Sequence, residues 1–346
     1  MGLPQRGGGC VVSRPLAMAI VGCGDVARYT AWFARLNRGI RLTACCDTVA
    51  ERAAQFARRF GIPQVFSDYA ELLAGPRPDA IYLAVPHHLH APLVKQAIAA
   101  GIPTLLEKPL ARTAAEGQEI VAAASAAGVK VGVNYQYRYD AGCYALARAA
   151  QTGALGEIHY ARCNLPWHRQ ASYFDDATWH ARIATAGGGT LLTQGSHLLD
   201  VTLWALGGQP VTAMGYTGRR VFRDVEVEDL AQGIIEMADG SLVEVCSSMV
   251  AHAEQAVSIE VYGSRGTAIY RDRPWPHVRF HGVRPPRAQP PGGRIHALQR
   301  SLEGFRAWVV DDHPYLTTAA DALPVLAAVD AIYRSSRSGR REEITC

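Results

Sequence analysis

The sequence predicts an α/β protein: an N-terminal doubly wound parallel sheet, then a C-terminal α+β unit with a mostly antiparallel open sheet. Apolar runs of strand length alternate with helix-length segments from Leu16 to Asn134, the pattern of parallel strands covered on both faces. The first run, Leu16 to Val21, enters a turn of small residues ahead of a helical segment, Asp25 to Leu36. Beyond residue 210 the runs alternate at period two and are joined by short turns such as Asp239-Gly240, which suits antiparallel pairing.

The opening turn reads Gly22-Cys23-Gly24-Asp25-Val26-Ala27. Its first glycine permits a tight turn, its second lets backbone approach a pyrophosphate, and Ala27 allows close helix–strand packing. The helix start then turns unpaired N–H groups toward that anion. The second run, Ile40 to Cys46, ends in Asp47, about 20 residues past the glycines, where a ribose 2′-hydroxyl is bound in dinucleotide folds. A carboxylate there accepts from the diol and repels a 2′-phosphate, so the expected cofactor is NAD rather than NADP. Asp47 could equally cap the helix that begins near Val49, and the two roles are compatible.

Later elements follow the same logic. Val49–Phe60 reads as a helix stopped by Gly61 and Pro63, and a short strand around Val65 precedes a helix at Tyr69–Leu73. Asp79–Val85 is a continuous apolar strand ending in Pro86-His87-His88-Leu89-His90, and His90–Ala100 is helical. Ile102–Glu107 and Val129–Asn134 are strands around the helix Ala114–Ala127. Ligands in such sheets sit outside the carboxyl ends of the strands, which here carry Gly22, Asp47, Val85-Pro86, Glu107-Lys108-Pro109 and Asn134. Next come a helix at Asp140–Gln151, a strand at Glu157–Pro166 and an irregular polar-aromatic stretch from Trp167 to Ala186. Gly187-Gly188-Gly189 leads to an apolar helix, Ser196–Leu206. Strands are expected at Val211–Tyr216, Leu230–Ala238, Leu242–Met249, Val257–Tyr262 and Thr267–Tyr270. Residues 272–293, rich in Pro, Arg and Gly, are expected as a surface loop, and helices at Ile295–Val310 and Thr318–Arg334 close the chain. The expected organisation is a loose leader at 1–15, a dinucleotide-binding domain at 16–135, and a substrate-binding and oligomerisation domain at 136–346.

Bulk composition narrows the class. The chain has 346 residues, 49% hydrophobic and 19% charged, with net charge +4; this is a folded chain rather than a disordered one. No basic cluster interleaves with aromatics, which argues against a nucleic-acid partner, and no run approaches transmembrane length. The arginines from Arg334 to Arg341 are expected as a solvated end. The eight cysteines (10, 23, 45, 46, 143, 163, 246 and 346) form no C-x-x-C pair. That points to reduced thiols in a cytoplasmic protein with neither a disulfide framework nor a metal site.

Two residues could move a proton. Lys108 stands at a strand tip where a bound nicotinamide would lie. Desolvation and a cationic ring nearby both lower an amine's pKa toward the working range of an acid–base group, although a surface lysine at a strand end is the commoner case. Pro109 could carry a cis bond. His197 shares a helix face with Asp200 and Trp204; a histidine on an apolar helix is more often a satisfied core residue.

Together these pieces resemble the Gfo/Idh/MocA family of nicotinamide-dependent oxidoreductases over residues 16–346. The matching motifs are the Gly22–Ala27 turn, Asp47, Pro86-His87-His88-Leu89-His90, Glu107-Lys108-Pro109-Leu110, Asn134-Tyr135-Gln136-Tyr137-Arg138, and Gly187-Gly188-Gly189 followed by His197 and Asp200. The resemblance implies that Lys108 exchanges the substrate hydroxyl proton while hydride moves to or from the nicotinamide, with His197 beside the same hydroxyl. It places Val85, Pro86, His87, His90, Glu107 and Asn134 near the cofactor, and implies a homodimer or homotetramer. Many members carry an aspartate four residues before the histidine, where this chain has Thr193. A hydroxyl there can hold the ring but cannot stabilise an imidazolium, which favours Lys108 as the proton-transfer group. The Thr193-Gln194-Gly195 form resembles a branch acting on sugars and nucleotide-sugars.

Tyr137, Trp167, His168, Arg169, Trp179 and Thr193 are further candidates for the substrate side. Aromatic faces stack on pyranose C–H surfaces, and Arg169 and Arg182 could meet a carboxylate or phosphate. The expected activity is interconversion of a secondary alcohol and a ketone on a sugar, nucleotide-sugar or cyclitol. The alternatives are a glycosidase that uses NAD transiently and a non-catalytic cofactor sensor.

Overall fold

The computed structural model describes residues 14–175, 178–284, 287–292 and 296–345. Most of the expected leader, Cys10, Cys346 and Ile295 lie outside them. The first half is a six-stranded sheet in the order β3-β2-β1-β4-β5-β6, every pair parallel. Its strands are β1 (Leu16–Val21), β2 (Ile40–Cys46), β3 (Gln64–Phe66), β4 (Ala80–Leu83), β5 (Thr104–Leu106) and β6 (Val131–Val133). β1, β4, β5 and β6 are buried at every position, which is why they read as continuous apolar runs.

The connecting helices start and stop on local signals. Ala114–Ala127 begins where the Thr113 hydroxyl accepts the Glu116 N–H, and it ends at Gly128, φ +63°. Such a cap is worth about 1 kcal/mol, and the left-handed end costs glycine nothing. One face of the sheet packs on the helices Asp25–Leu36, Ala50–Phe60 and Ala297–Asp311, the last through Leu298, Leu302 and Phe305. The chain thus returns from its far end to close the first sheet, and Thr317 bonds both backbone groups of Val133.

The second sheet has eight strands in the order β13-β12-β11-β7-β10-β9-β8-β14. They are β7 (Ile158–Pro166), β8 (Pro210–Gly218), β9 (Leu230–Met237), β10 (Leu242–Ser248), β11 (Ser258–Gly263), β12 (Thr267–Arg271), β13 (His277–His281) and β14 (Glu342–Glu343). All its pairs are antiparallel except β10 with β7. Its inner face meets the helices Ala141–Gln151, Ser196–Leu206 and Ala319–Ser338, and that core continues into the first half.

Three expectations are corrected. The expected loop 272–293 contains β13, which pairs in full with β12; its alternating His277-Val278-Arg279-Phe280-His281 was masked by the prolines and arginines around it. The arginine-rich end is not simply solvated. Arg334 lies within the helix Ala319–Ser338 and approaches Glu342, Arg341 pairs with Glu236 at 3.0 Å, and Glu342–Glu343 adds an edge strand to β8. The stretch after Trp167 holds three one-turn helices rather than only irregular chain.

Candidate active site

The tips of β1, β2, β4, β5 and β6 open toward one region. At β1, Gly22 adopts φ +85°, and a Cβ there would strike the Ala84 carbonyl oxygen at 2.0 Å, so the turn requires glycine. A Cβ on Gly24 would meet nothing within 4 Å. Gly24 is also the N-cap of the helix Asp25–Leu36, with no side chain capping its free N–H groups. An open cradle beneath uncapped N–H donors fits a dinucleotide pyrophosphate. The Asp47 carboxylate receives the Cys23 N–H and the Val49 N–H, each at 2.9 Å, with Arg52 at 3.4 Å. It therefore fixes the glycine turn and the start of the next helix from the place where a ribose would rest. Asp25 and Val26 stay exposed, while Cys23 and Ala27 are buried.

Glu107, at the tip of β5, accepts from the Tyr82 hydroxyl and from Asn134 Nδ2 at 2.7 Å. Asn134 Oδ1 in turn accepts from Ser301 at 2.8 Å. Asn134 thus braces Glu107 and lies under the tips.

Lys108 follows, half-buried, with its amine turned inward to donate to the Thr193 carbonyl oxygen at 2.6 Å. Burial is the main cause lowering its pKa below the ordinary lysine value, and the Arg169 charge adds to it, while Glu107 opposes both. The Lys108–Pro109 peptide is cis. Thr193 sits in a π-helical turn, Leu191–Gly195, a local widening often found at functional sites. Glu228 holds the start of that turn, accepting the Gly189 and Leu191 N–H groups at 2.7 and 3.0 Å and the Tyr333 hydroxyl at 2.9 Å. The triple glycine makes room for this: a Cβ on Gly189 would overlap the Glu228 carbonyl oxygen.

His197 is buried beside Lys108, its ring 5.3 Å from Tyr137 and 5.9 Å from Tyr135. Burial, then the lysine charge, holds its pKa well below the ordinary value, so the ring is neutral. Its Nδ1 has no partner among the described residues. Thr193 does not hold the ring, because its hydroxyl donates to the Gly189 carbonyl at 2.7 Å. Asp200 turns away as well: it forms a bidentate ion pair with Arg138 at 2.7 and 2.8 Å, both side chains buried. The shared helix face of His197 and Asp200 therefore serves two separate purposes.

His87 and His90 are also buried. His87 Nδ1 faces the Ala186 carbonyl at 2.8 Å, and its ring meets Trp179 edge-on at 4.7 Å. The His90 nitrogens face the Pro109 and Val85 carbonyls at 2.8 and 3.0 Å, which leaves neither nitrogen for a ligand. His180 lies close enough to feel the Lys108 charge, stacks on Tyr173 and is pushed down to about 4, mainly by burial. Arg169 lies over Trp167 and Tyr173 and pairs with Glu254 at 3.3 Å. His168 is exposed, its ring bonded to the Ala251 carbonyl, and Arg182 is exposed; neither is drawn toward Lys108. Sequence reasoning missed the roles of Glu228, Arg138 and His180. Glu228, beside Asp229 just ahead of β9, carried a weak signal as an acidic pair before an apolar strand.

Comparison with known proteins places the chain in a family. Residues 16–135 match the GFO/IDH/MocA oxidoreductase family model with its NAD-binding Rossmann fold, and residues 144–269 match the GFO/IDH/MocA C-terminal domain. D-apiose dehydrogenase of Paraburkholderia graminis is 29% identical over 94% of this chain and 89% of its own. 1,5-Anhydro-D-fructose reductase of Ensifer adhaerens is 27% identical over 94% and 97%. The WlbA dehydrogenase of Bordetella pertussis, solved with NADH and UDP-GlcNAcA, superposes with a TM-score of 0.85 at 26% identity, covering 96% of this chain and 100% of that one. The chain belongs to the Gfo/Idh/MocA family of NAD-binding oxidoreductases, enzymes that act on CH–OH groups.

Proposed function

We propose that the protein interconverts a secondary alcohol and a ketone on a sugar, nucleotide-sugar or cyclitol, with Lys108 as the acid–base group. The observation that carries this reading is the Lys108 amine, turned inward at the tip of β5 onto the Thr193 carbonyl beside a neutral, unpartnered His197. Bound NAD supplies a hydride acceptor at carbon 4 of its nicotinamide. Lys108 takes the hydroxyl proton in oxidation and returns it in reduction, and its lowered pKa makes the neutral amine more accessible near pH 7. His197 orients the hydroxyl. The Gly22–Ala27 turn binds the pyrophosphate, Asp47 the adenine ribose, and the Val85-Pro86 tip borders the nicotinamide. Tyr137, Tyr173 and Trp179 offer faces for a sugar ring.

In this assignment residues 16–135 bind the dinucleotide and residues 136–346 bind substrate and build a homo-oligomer. The outer face of the second sheet supports the latter, with Tyr160, Met214, Tyr216, Ile234 and Leu242 exposed. Relatives and a structural neighbour name the probes: D-apiose, inositol, a D-glucoside and UDP-GlcNAcA, each with NAD and followed by nicotinamide absorbance. Net NADH formation on one of them supports the reading. Product formed without net NADH would favour transient oxidation, and no turnover despite tight NADH binding would favour a sensor.

A further inference from the structure

We propose that His90 is a positioning residue that fixes Lys108 by donating a hydrogen bond to the Pro109 carbonyl. The proposal rests on the acid–base reading of Lys108. His90 opens the helix His90–Ala99 and is fully buried. Its ring lies between the tips of two adjacent strands. Val85 lies two residues past β4, and Pro109 is the residue directly after Lys108. β4 and β5 are paired up to Leu83 and Leu106, and the Glu107 N–H adds a bond to the Leu83 carbonyl at 2.8 Å; Val85 and Pro109 lie past it. The imidazole stands across these tips, with Nδ1 2.8 Å from the Pro109 carbonyl oxygen and Nε2 3.0 Å from that of Val85.

Burial lowers the ring's pKa to about 4, so near pH 7 it has one N–H, and the shorter contact is to Pro109. That carbonyl belongs to the Pro109–Leu110 peptide, one residue past Lys108, so holding it restrains the stretch of chain from which the amine projects. His87 makes a comparable bond, but to Ala186 in the other half of the molecule, and so does not act on the lysine peptide. A displacement of about 1 Å at a reacting group can cost on the order of 10²-fold in rate.

The test uses the full chain with NADH and two variants, His90→Phe, which keeps a ring without donors, and His90→Gln, which keeps an N–H donor. The sequence contains three lysines, 95, 108 and 130, so ¹³C-lysine labelling gives a signal from Lys108 that can be titrated without any substrate. In His90→Phe the Lys108 titration should move up toward the ordinary lysine value as the amine loses its enclosed position. Turnover of a substrate accepted by the wild type should fall roughly 10- to 100-fold, and NADH affinity should stay within about 3-fold. His90→Gln should recover part of both the titration and the rate; if His90→Phe does not fold, its intermediate Lys108 titration carries the test. An unchanged Lys108 titration in a folded variant would overturn the proposal. So would a loss of NADH affinity as large as the loss of rate, which would make His90 a cofactor contact. Full turnover by Lys108→Ala would instead sink the acid–base reading, and the titration would still report whether His90 tethers the lysine.

Discussion

The two sides of the cleft are built by different means. The dinucleotide side relies on backbone and on missing side chains: Gly22 turns where a Cβ would collide with Ala84, and Gly24 leaves the helix N-terminus open. The proton-transfer side relies on buried side chains aimed at carbonyl oxygens, with Lys108 on Thr193, His87 on Ala186, and His90 on Pro109 and Val85. The first side is local apart from Gly22 against Ala84 and Asp47 on Cys23, whereas the second joins residues up to 99 positions apart. Substitutions on the first side should therefore act on NADH affinity or folding, and on the second side mainly on rate.

The sharpest test of that contrast is Lys108→Ala. It should lower kcat by roughly 10²–10⁴-fold, the usual worth of acid–base catalysis, and leave NADH affinity near wild type by fluorescence titration. Wild-type turnover would remove Lys108 from the mechanism. His197→Ala should cost less, about 10-fold, since a neutral ring contributes one hydrogen bond and neither Thr193 nor Asp200 supports an imidazolium. A loss larger than that of the lysine variant would reverse the ranking.

The two glycines separate folding from binding within the dinucleotide side. Gly22→Ala faces both a 2.0 Å overlap and a positive φ, so a fall in stability of about 2 kcal/mol or more is expected. Gly24→Ala has open space on the protein side and should keep its melting temperature while NADH affinity falls about 10-fold or more. Equal melting temperatures for the two variants would contradict the assigned geometry.

The same contrast explains what could be read from sequence. β1, the glycine turn and Asp47 were legible because residue type and spacing alone mark them, and the buried parallel strands declared themselves as apolar runs. Lys108 was legible as a strand-tip lysine, but its Thr193 carbonyl partner was not, since backbone acceptors leave no mark in composition. For the same reason Asp200 was placed beside His197 by helical spacing, while a guanidinium 62 positions away claims it. β13 was hidden by flanking Pro and Arg, and β14 by its length of two residues.

The buried histidines also tie the proton-transfer side to pH. His90 and His180 are pushed down to about 4, and His87 and His197 are lowered as well, each chiefly by burial. A depressed folded-state pKa means that the unfolded chain takes up protons first. Stability is then fully present above about 6.5 and declines as pH falls toward 4, by up to about 3 kcal/mol for a ring shifted this far. Buried Asp200 and Glu228, raised by burial, gain protons in the fold and oppose this at the acid end. Urea unfolding should therefore show falling stability from pH 7 to about 5, and a flat profile would mean that these rings are solvated.

At Asp47 the two strategies meet, since a side chain here braces a backbone cradle. Its carboxylate accepts two backbone N–H groups and faces Arg52. In Asp47→Ser the charge that repels a 2′-phosphate disappears and the Arg52 guanidinium loses its counter-ion. The preference for NAD over NADP should then fall about 10-fold or more, the scale of one charged hydrogen bond. Stability should drop by about 1–3 kcal/mol, because one hydroxyl cannot serve both N–H groups. Adding Arg52→Ala to that variant should remove the gain in NADP affinity but not restore NAD. An unchanged cofactor ratio alongside the stability loss would make Asp47 a brace for the glycine turn alone.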